Sequence, residues 1–476
     1  MDGGRLGPKD LQMLLGEWET EGQSAYQALA DRIRLLIIDG RIPTRTRLPA
    51  ERELAHVLEK SRTTIVSAYG ALKETGHLVS LRGSGSVVAL PHPHDQPTTS
   101  PDKQLVDFAR AAPAAISGLE TIIQRATANL PHVLSKTGFD LIGSGDLRER
   151  IARHYTSRDL PTSPSQIMIT LGAQHALALI ARTFVRQADR VLVESPTYPH
   201  ALDAWRQAGG RLVTTPVTTE GWDPDRLRDT FERVRPSLAY LVPDFQNPTG
   251  ASMPPEIRDE TIHHARRAGT VLVIDETTAD IDLGRGWTDV PFAARADGTR
   301  TLTVGSLGKS IWGGLRIGWI RADDDGIGSL HAARAAGDLG TPELEQLVAA
   351  EVFEDYDALV QRRIAQLRHH RDALVDELHE RLPQWEVPVP DGGTSLWVGL
   401  GAPISSALAL FGLTRGVSII AGPKFGVDGA FERFIRIPYT GGVDELVRGV
   451  HLLADTAHSL PALPAGRPAP HLADVV

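Results

Sequence analysis

Lys309 stands in the string SLGKSIWGGLRIGW, just past an apolar strand-like run and before a Gly-Gly turn, with Arg316 seven residues downstream. A primary amine so placed can condense with an aldehyde. Ser306 and Arg316 flank it and can hold a phosphate, one through a hydroxyl and the other through a bidentate guanidinium fork. Complementary groups occur elsewhere along the chain. TVLVID ends in Asp275, a strand-end carboxylate suited to a protonated aromatic nitrogen. LGAQHAL puts the N–H groups of Ala173 and Gln174 at a helix N-terminus, where anions are held. Tyr198 in ESPTYPH offers a ring to stack, and Asn247 in QNPTG an amide that can donate to a phenolic oxygen.

Singly these features are commonplace: a lysine near glycines is usually solvated, a strand-end aspartate often caps, and NPTG is a frequent turn. Together they meet the needs of pyridoxal 5'-phosphate, which takes a lysine for its aldehyde, donors for its phosphate, a carboxylate for its ring nitrogen and a flat partner for its ring. The ordered strings GDLRERIARHY, GAQHAL, SPTYP, NPTG, VIDE, SLGKSIWGGLRIGW and FERFIRIPY resemble the aminotransferase class I/II group, fold type I. The resemblance covers roughly three-quarters of the chain. It implies pyridoxal phosphate as cofactor, a homodimer with the site between subunits, and Arg436 as the arginine that receives a substrate or effector carboxylate. Thr277, counted among the cofactor-binding residues, stands where related sites carry a tyrosine that reaches the cofactor, Gly308 replaces a frequent serine, and no tyrosine occurs around Gly138-Phe139. These departures thin the cofactor's shell, and no residue is assigned a catalytic role.

These groups must be positioned by the elements around them. Between about Leu105 and Leu460, strand-like runs (QIMITLG, RVLVES, LAYLVPDF, TVLVIDE, TLTVGSL) alternate with amphipathic stretches. That pattern predicts an α/β body over 105–460 with a mainly parallel sheet covered on both faces. The resemblance adds a smaller C-terminal α+β part. Residues 461–476 are proline-rich and read as a disordered tail, and 91–104, with four prolines, as a linker.

Residues 24–90 read as a separate module behind an N-terminal arm, 1–23. Leu29, Ile33, Leu36 and Ile37 recur at helical spacing; a second helix opens after Pro49; a third starts at the N-cap Ser61; HLVSLRGSGSVVAL then forms two short strands. This is a winged helix-turn-helix, whose second helix lies in the major groove of DNA. Ser61, Arg62, Thr63 and Thr64 would face the duplex, Arg52 would anchor the backbone, and Arg82 with Gly83 would bring the wing to the minor groove. The string LPAERELAHVLEKSRTTIVSAYGALKETGHLVSLRGSGSVV resembles the head of GntR-family regulators, and the resemblance implies DNA contacts at Arg52, Arg62, Thr64 and Gly83. Head and body together resemble the MocR subfamily.

Charge agrees with this division. The chain carries −9 overall, yet residues 24–90 hold 10 Lys/Arg against 6 Asp/Glu. A basic head on an acidic body suits a DNA reader joined to a sensor. There is no cysteine, so disulfides and thiolate metal sites are excluded. The 17 histidines show no ligand spacing, the pairs His263-His264 and His369-His370 lying in charged helical runs, and no metal is expected. No signal peptide or membrane-length apolar run is visible, so a cytoplasmic protein without membrane contact is expected.

Three readings follow. The first is a pyridoxal-phosphate-dependent transcription regulator that binds a double-stranded operator and senses the cofactor or a small amino compound. The second is a working aminotransferase with an appended helix-turn-helix. The third is a DNA-binding protein whose body only dimerises; the Lys309, Asp275 and Arg316 set argues against it.

Overall fold

The computed structural model describes residues 4–16, 18, 24–38, 41–81, 85–89, 105–135, 137–288, 290–296, 298–427 and 429–460. The expected linker 91–104, the tail 461–476 and the wing residues Arg82 and Gly83 lie outside them.

The head has four helices, α1 (Pro8–Leu15), α2 (Ala25–Ile38), α3 (Glu51–Val57) and α4 (Arg62–Glu74), followed by the antiparallel pair β1 (Leu78–Leu81) and β2 (Gly85–Val88). Leu29, Ile33 and Leu36 of α2 pack with Leu54 of α3 and with Ile65, Ala68, Tyr69 and Leu72 of α4. Ser61 caps α4 by accepting from the Thr64 N–H at 3.1 Å. The arm set apart in the sequence is part of this unit. Leu11 and Leu15, four apart on α1, bury in the same core, and Arg5 pairs with Arg47. A short helix with one leucine face gains little alone and much by adding to an existing core.

In the body the strands are β3 (Val106–Asp107), β4 (Ile167–Thr170), β5 (Arg190–Ser195), β6 (Arg211–Thr218), β7 (Gly221–Trp222), β8 (Leu238–Leu241), β9 (Val271–Asp275), β10 (Thr301–Ser306) and β11 (Gly318–Arg321). Eight of them form one sheet in the order β4-β11-β10-β9-β8-β5-β6-β7. The run from β10 to β6 is parallel. β4, β8 and β11 are buried along their whole length, as a sheet covered on both faces requires. β11 is antiparallel and sits between β10 and β4. The chain reverses after Lys309 through a tight helical turn that ends at Arg316 in a left-handed conformation, φ 52°.

A smaller C-terminal part carries an antiparallel sheet of β12 (Ser395–Gly399), β14 (Ile420–Ala421) and β15 (Phe434–Pro438) under the helices Tyr356–Arg381, Ser405–Arg415 and Val443–Ser459. β3, the first strand of the body, pairs with β13 (Val417–Ser418), so the chain joins the body on this C-terminal part. The head touches the same region, Arg32 of α2 lying 3.8 Å from Glu432. Among the described residues no helix is long and apolar enough to cross a membrane.

Candidate cofactor site and DNA-reading helix

In an open parallel sheet, ligands bind beyond the carboxyl ends of the strands. Here β5, β9 and β10 end at Ser195, Asp275 and Ser306, which brings Tyr198, Asp275 and Lys309 to one edge.

Lys309 is half-buried, and its Nζ donates to the Ala111 carbonyl at 2.5 Å. Burial, reinforced by the positive charge of Arg436 and opposed by Asp275, lowers its amine to about 8. A lysine in that state is partly neutral near physiological pH, as attack on an aldehyde requires.

Asp275 accepts from the Tyr240 hydroxyl at 2.7 Å and from Thr277, whose N–H and Oγ1 lie at 3.0 and 2.6 Å. Thr277 thus places both its N–H and its hydroxyl on the carboxylate of Asp275. Tyr240 was not legible in the sequence, because inside LAYL it reads as one more core residue.

Arg316 donates to the Leu171 carbonyl at 2.8 Å and packs against Gly172, whose φ is +87°. A β-carbon at Gly172 would stand 3.1 Å from the guanidinium, so glycine keeps the arginine against the N-terminus of the helix Ala173–Phe184. Ser306 accepts from the Gly308 N–H and donates to the Ile317 carbonyl, closing the turn around Lys309. The cradle of Ala173 and Gln174 thus faces Arg316 across Gly172.

Glu194 ties two loops of the site together and was also missed. Fully buried, it accepts from Trp222 Nε1, the Val242 N–H and Gln246 Nε2 at 3.0–3.1 Å. Burial pushes its carboxyl up to about 7. Through Gln246 it joins the strand leading to Tyr198 with the loop carrying Asn247. Tyr198 is half-buried, with its phenol pushed up to about 12 by burial and by Asp275.

The donor set fits pyridoxal phosphate. The buried Nε of Arg436 finds no hydrogen-bond partner among the described residues, a donor left open for an anionic ligand. Arg436 is otherwise held by the Ala109 carbonyl at 2.5 Å, lies 5.3 Å from the Phe425 ring, and is lowered to about 10 by burial.

In the head, Arg52, Ser61, Arg62 and Thr63 are exposed and Thr64 is half-buried. The Ser61 hydroxyl, which caps the helix, also lies 3.2 and 2.8 Å from the hydroxyls of Thr63 and Thr64. Val66, one turn beyond Arg62, is 45% exposed on the same face and can meet a thymine methyl; the sequence reading had not singled it out.

Residues 117–451 match the profile "Aminotransferase class I and II", and residues 25–88 that of "Bacterial regulatory proteins, gntR family". The HTH-type transcriptional regulator YisV of Bacillus subtilis, described as uncharacterized, is 26% identical over 94% of this chain and 99% of its own. The 2-aminoadipate transaminase of Thermus thermophilus is 30% identical over 65% of this chain and 80% of its own length. Among solved structures, the α-aminoadipate aminotransferase LysN of Thermus thermophilus, complexed with N-(5'-phosphopyridoxyl)-L-leucine, superposes with a TM-score of 0.68 at 28% identity, over 74% of this chain and 92% of LysN. The chain therefore belongs to the aminotransferase class I and II family, with pyridoxal phosphate as the implied cofactor, and carries a gntR-family head in the arrangement of MocR-type regulators.

Proposed function

We propose that this protein is a transcription regulator whose operator binding responds to pyridoxal phosphate, or to an amino compound captured at the same site. One observation carries the reading: a single chain holds a half-buried, partly neutral Lys309 beside Asp275 and a capped helix whose Arg62 and Thr63 are exposed for DNA. The regulator relative matches along nearly the whole length, whereas the transaminase relative covers 65% of this chain.

When bound, the cofactor supplies an aldehyde for amines and an electron-withdrawing ring. Lys309 would hold it covalently. Arg316, Ser306 and the N–H groups of Ala173 and Gln174 would hold its phosphate, Asp275 would keep a proton on its ring nitrogen, and Asn247 and Tyr198 would fix the ring's edge and face. Tyr240 and Thr277 orient Asp275, and Arg436 would take a ligand carboxylate through a charge-assisted fork. With the Thr277 hydroxyl committed to Asp275, the site holds its ligand with fewer donors for turnover, which favours sensing over rapid transamination.

A second copy of the chain completes the reading. Leu134, Phe139, Leu339 and Leu344 are 72, 71, 57 and 46% exposed, and an Asp140–Gly340 bridge joins the segments of Phe139 and Leu339. Apolar groups so exposed suit a homodimer face. Light scattering tests it: a dimer is expected, and a monomer at working concentration contradicts it. The functional reading is tested by operator binding with apo protein, cofactor-loaded protein and an amino-acid panel.

A further inference from the structure

The first residues of the body run past two cations of the site, Lys309 and Arg436. Val106 and Asp107 are fastened to β13, with the Val106 and Phe108 N–H groups donating to Gly416 and Ser418 at 2.9 and 2.8 Å. Downstream, the Ala114 carbonyl accepts from Arg363 at 2.7 Å, and the Ile116 N–H donates to Ile311 at 3.2 Å. Between these anchors the Ala109 carbonyl accepts from Arg436 and the Ala111 carbonyl from Lys309, each at 2.5 Å. Two backbone carbonyls of this stretch thus occupy Lys309 and Arg436, while Arg316 lies on the Leu171 carbonyl.

Neither carbonyl is the better partner. A carboxylate offers Arg436 a charge-assisted bidentate bond, against one neutral acceptor and an Nε left without a partner. Capture of an aldehyde by Lys309 forms a carbon–nitrogen bond, and the two protons of the neutral amine leave with the aldehyde oxygen as water. Those N–H groups are then no longer available to Ala111.

We infer that residues 109–113 are a ligand-displaced strap, held on Lys309 and Arg436 until a phosphorylated aldehyde and a carboxylate ligand take their place. The strap itself stands on the contacts above. Its consequence for DNA binding rests on the function proposed here: the strap follows directly on β3, the strand by which the chain enters the body.

The test is amide hydrogen exchange of residues 109–112 in the full-length protein, as apo protein, with pyridoxal phosphate, with pyridoxine 5'-phosphate, and with pyridoxal phosphate plus each common L-amino acid. Pyridoxine phosphate keeps the ring and phosphate but has no aldehyde, so it leaves Lys309 free. Exchange should speed up at least threefold with pyridoxal phosphate and less than half as much with pyridoxine phosphate. At least one amino acid should add a further change that is lost in Arg436→Ala. Because the chain lacks cysteine, Arg110→Cys carrying an environment-sensitive dye reports the same step independently, Arg110 being 85% exposed. Unchanged exchange and fluorescence on loading overturn the strap, even where operator affinity responds. A strap that moves while operator affinity does not supports the strap and removes the regulatory reading.

Discussion

Lys309, in the turn after β10, and Arg436, on β15 of the C-terminal part, donate to carbonyls only two residues apart, those of Ala111 and Ala109. Burial and the positive charge of Arg436 lower the Lys309 amine, and burial lowers Arg436 itself. The pair is set to accept an aldehyde and an anion together.

Reconstituted protein should show the visible band of a lysine-bound cofactor, and Lys309→Ala should abolish it. Arg316→Ala should weaken cofactor retention by about 1.5–3 kcal/mol, the scale of a lost charged hydrogen bond. Wild-type protein that stays colourless in excess pyridoxal phosphate contradicts the cofactor assignment.

Cofactor capture should depend on pH through Lys309. The folded state lowers this amine to about 8, so the unfolded chain holds more protons between there and the ordinary lysine range. The group therefore costs stability below pH 8, and that cost is relieved as pH rises through the window. Since only the neutral amine attacks, capture by apo protein should accelerate about tenfold from pH 7 to pH 9 and level off above. A stopped-flow rate that is flat across this range excludes a lysine titrating there.

Much of this site was legible because its residues sit at the ends of local patterns. Lys309, Asp275 and Arg316 each close or follow an apolar run, and Ser61 precedes a helical period. Tyr240 and Glu194 were not legible, since their roles depend on partners 35 and 52 residues away. In sequence they continue a buried strand. The antiparallel β11 was equally hidden, because its direction is set by the turn at Arg316 and not by its own composition. The place of α1 in the head core depended on packing that two leucines alone do not disclose.

Glu276 should make the body's stability fall as pH rises. Burial, with Asp244 and Asp280 adding to it and Arg158 and Tyr155 opposing, pushes its carboxyl up to about 7. Its stabilising contribution is thus full below the ordinary carboxylate range and is lost as pH rises through 7. Glu276→Gln removes that dependence, so the variant should gain on wild type by on the order of 2–3 kcal/mol between pH 5 and pH 8. Thermal melts at the two pH values check this; an identical difference at both excludes a buried, titrating Glu276.

Arg62→Ala should weaken operator binding and lower its salt dependence, or relax specificity at one base pair, while leaving the cofactor band unaltered. Gel-shift titrations across salt concentrations measure both effects. Wild-type affinity in this variant would place DNA on another face of the head.

The most direct test of the central claim is operator affinity in apo protein, in cofactor-loaded protein and across an L-amino-acid panel, read beside a coupled transaminase assay on the same preparation. The account predicts that at least one ligand changes affinity more than threefold, a coupling of roughly 0.65 kcal/mol, while multiple-turnover transamination stays very slow. Ordinary enzymatic turnover, together with operator binding indifferent to the cofactor and to every amino acid, would contradict it and make the protein an aminotransferase that carries a head.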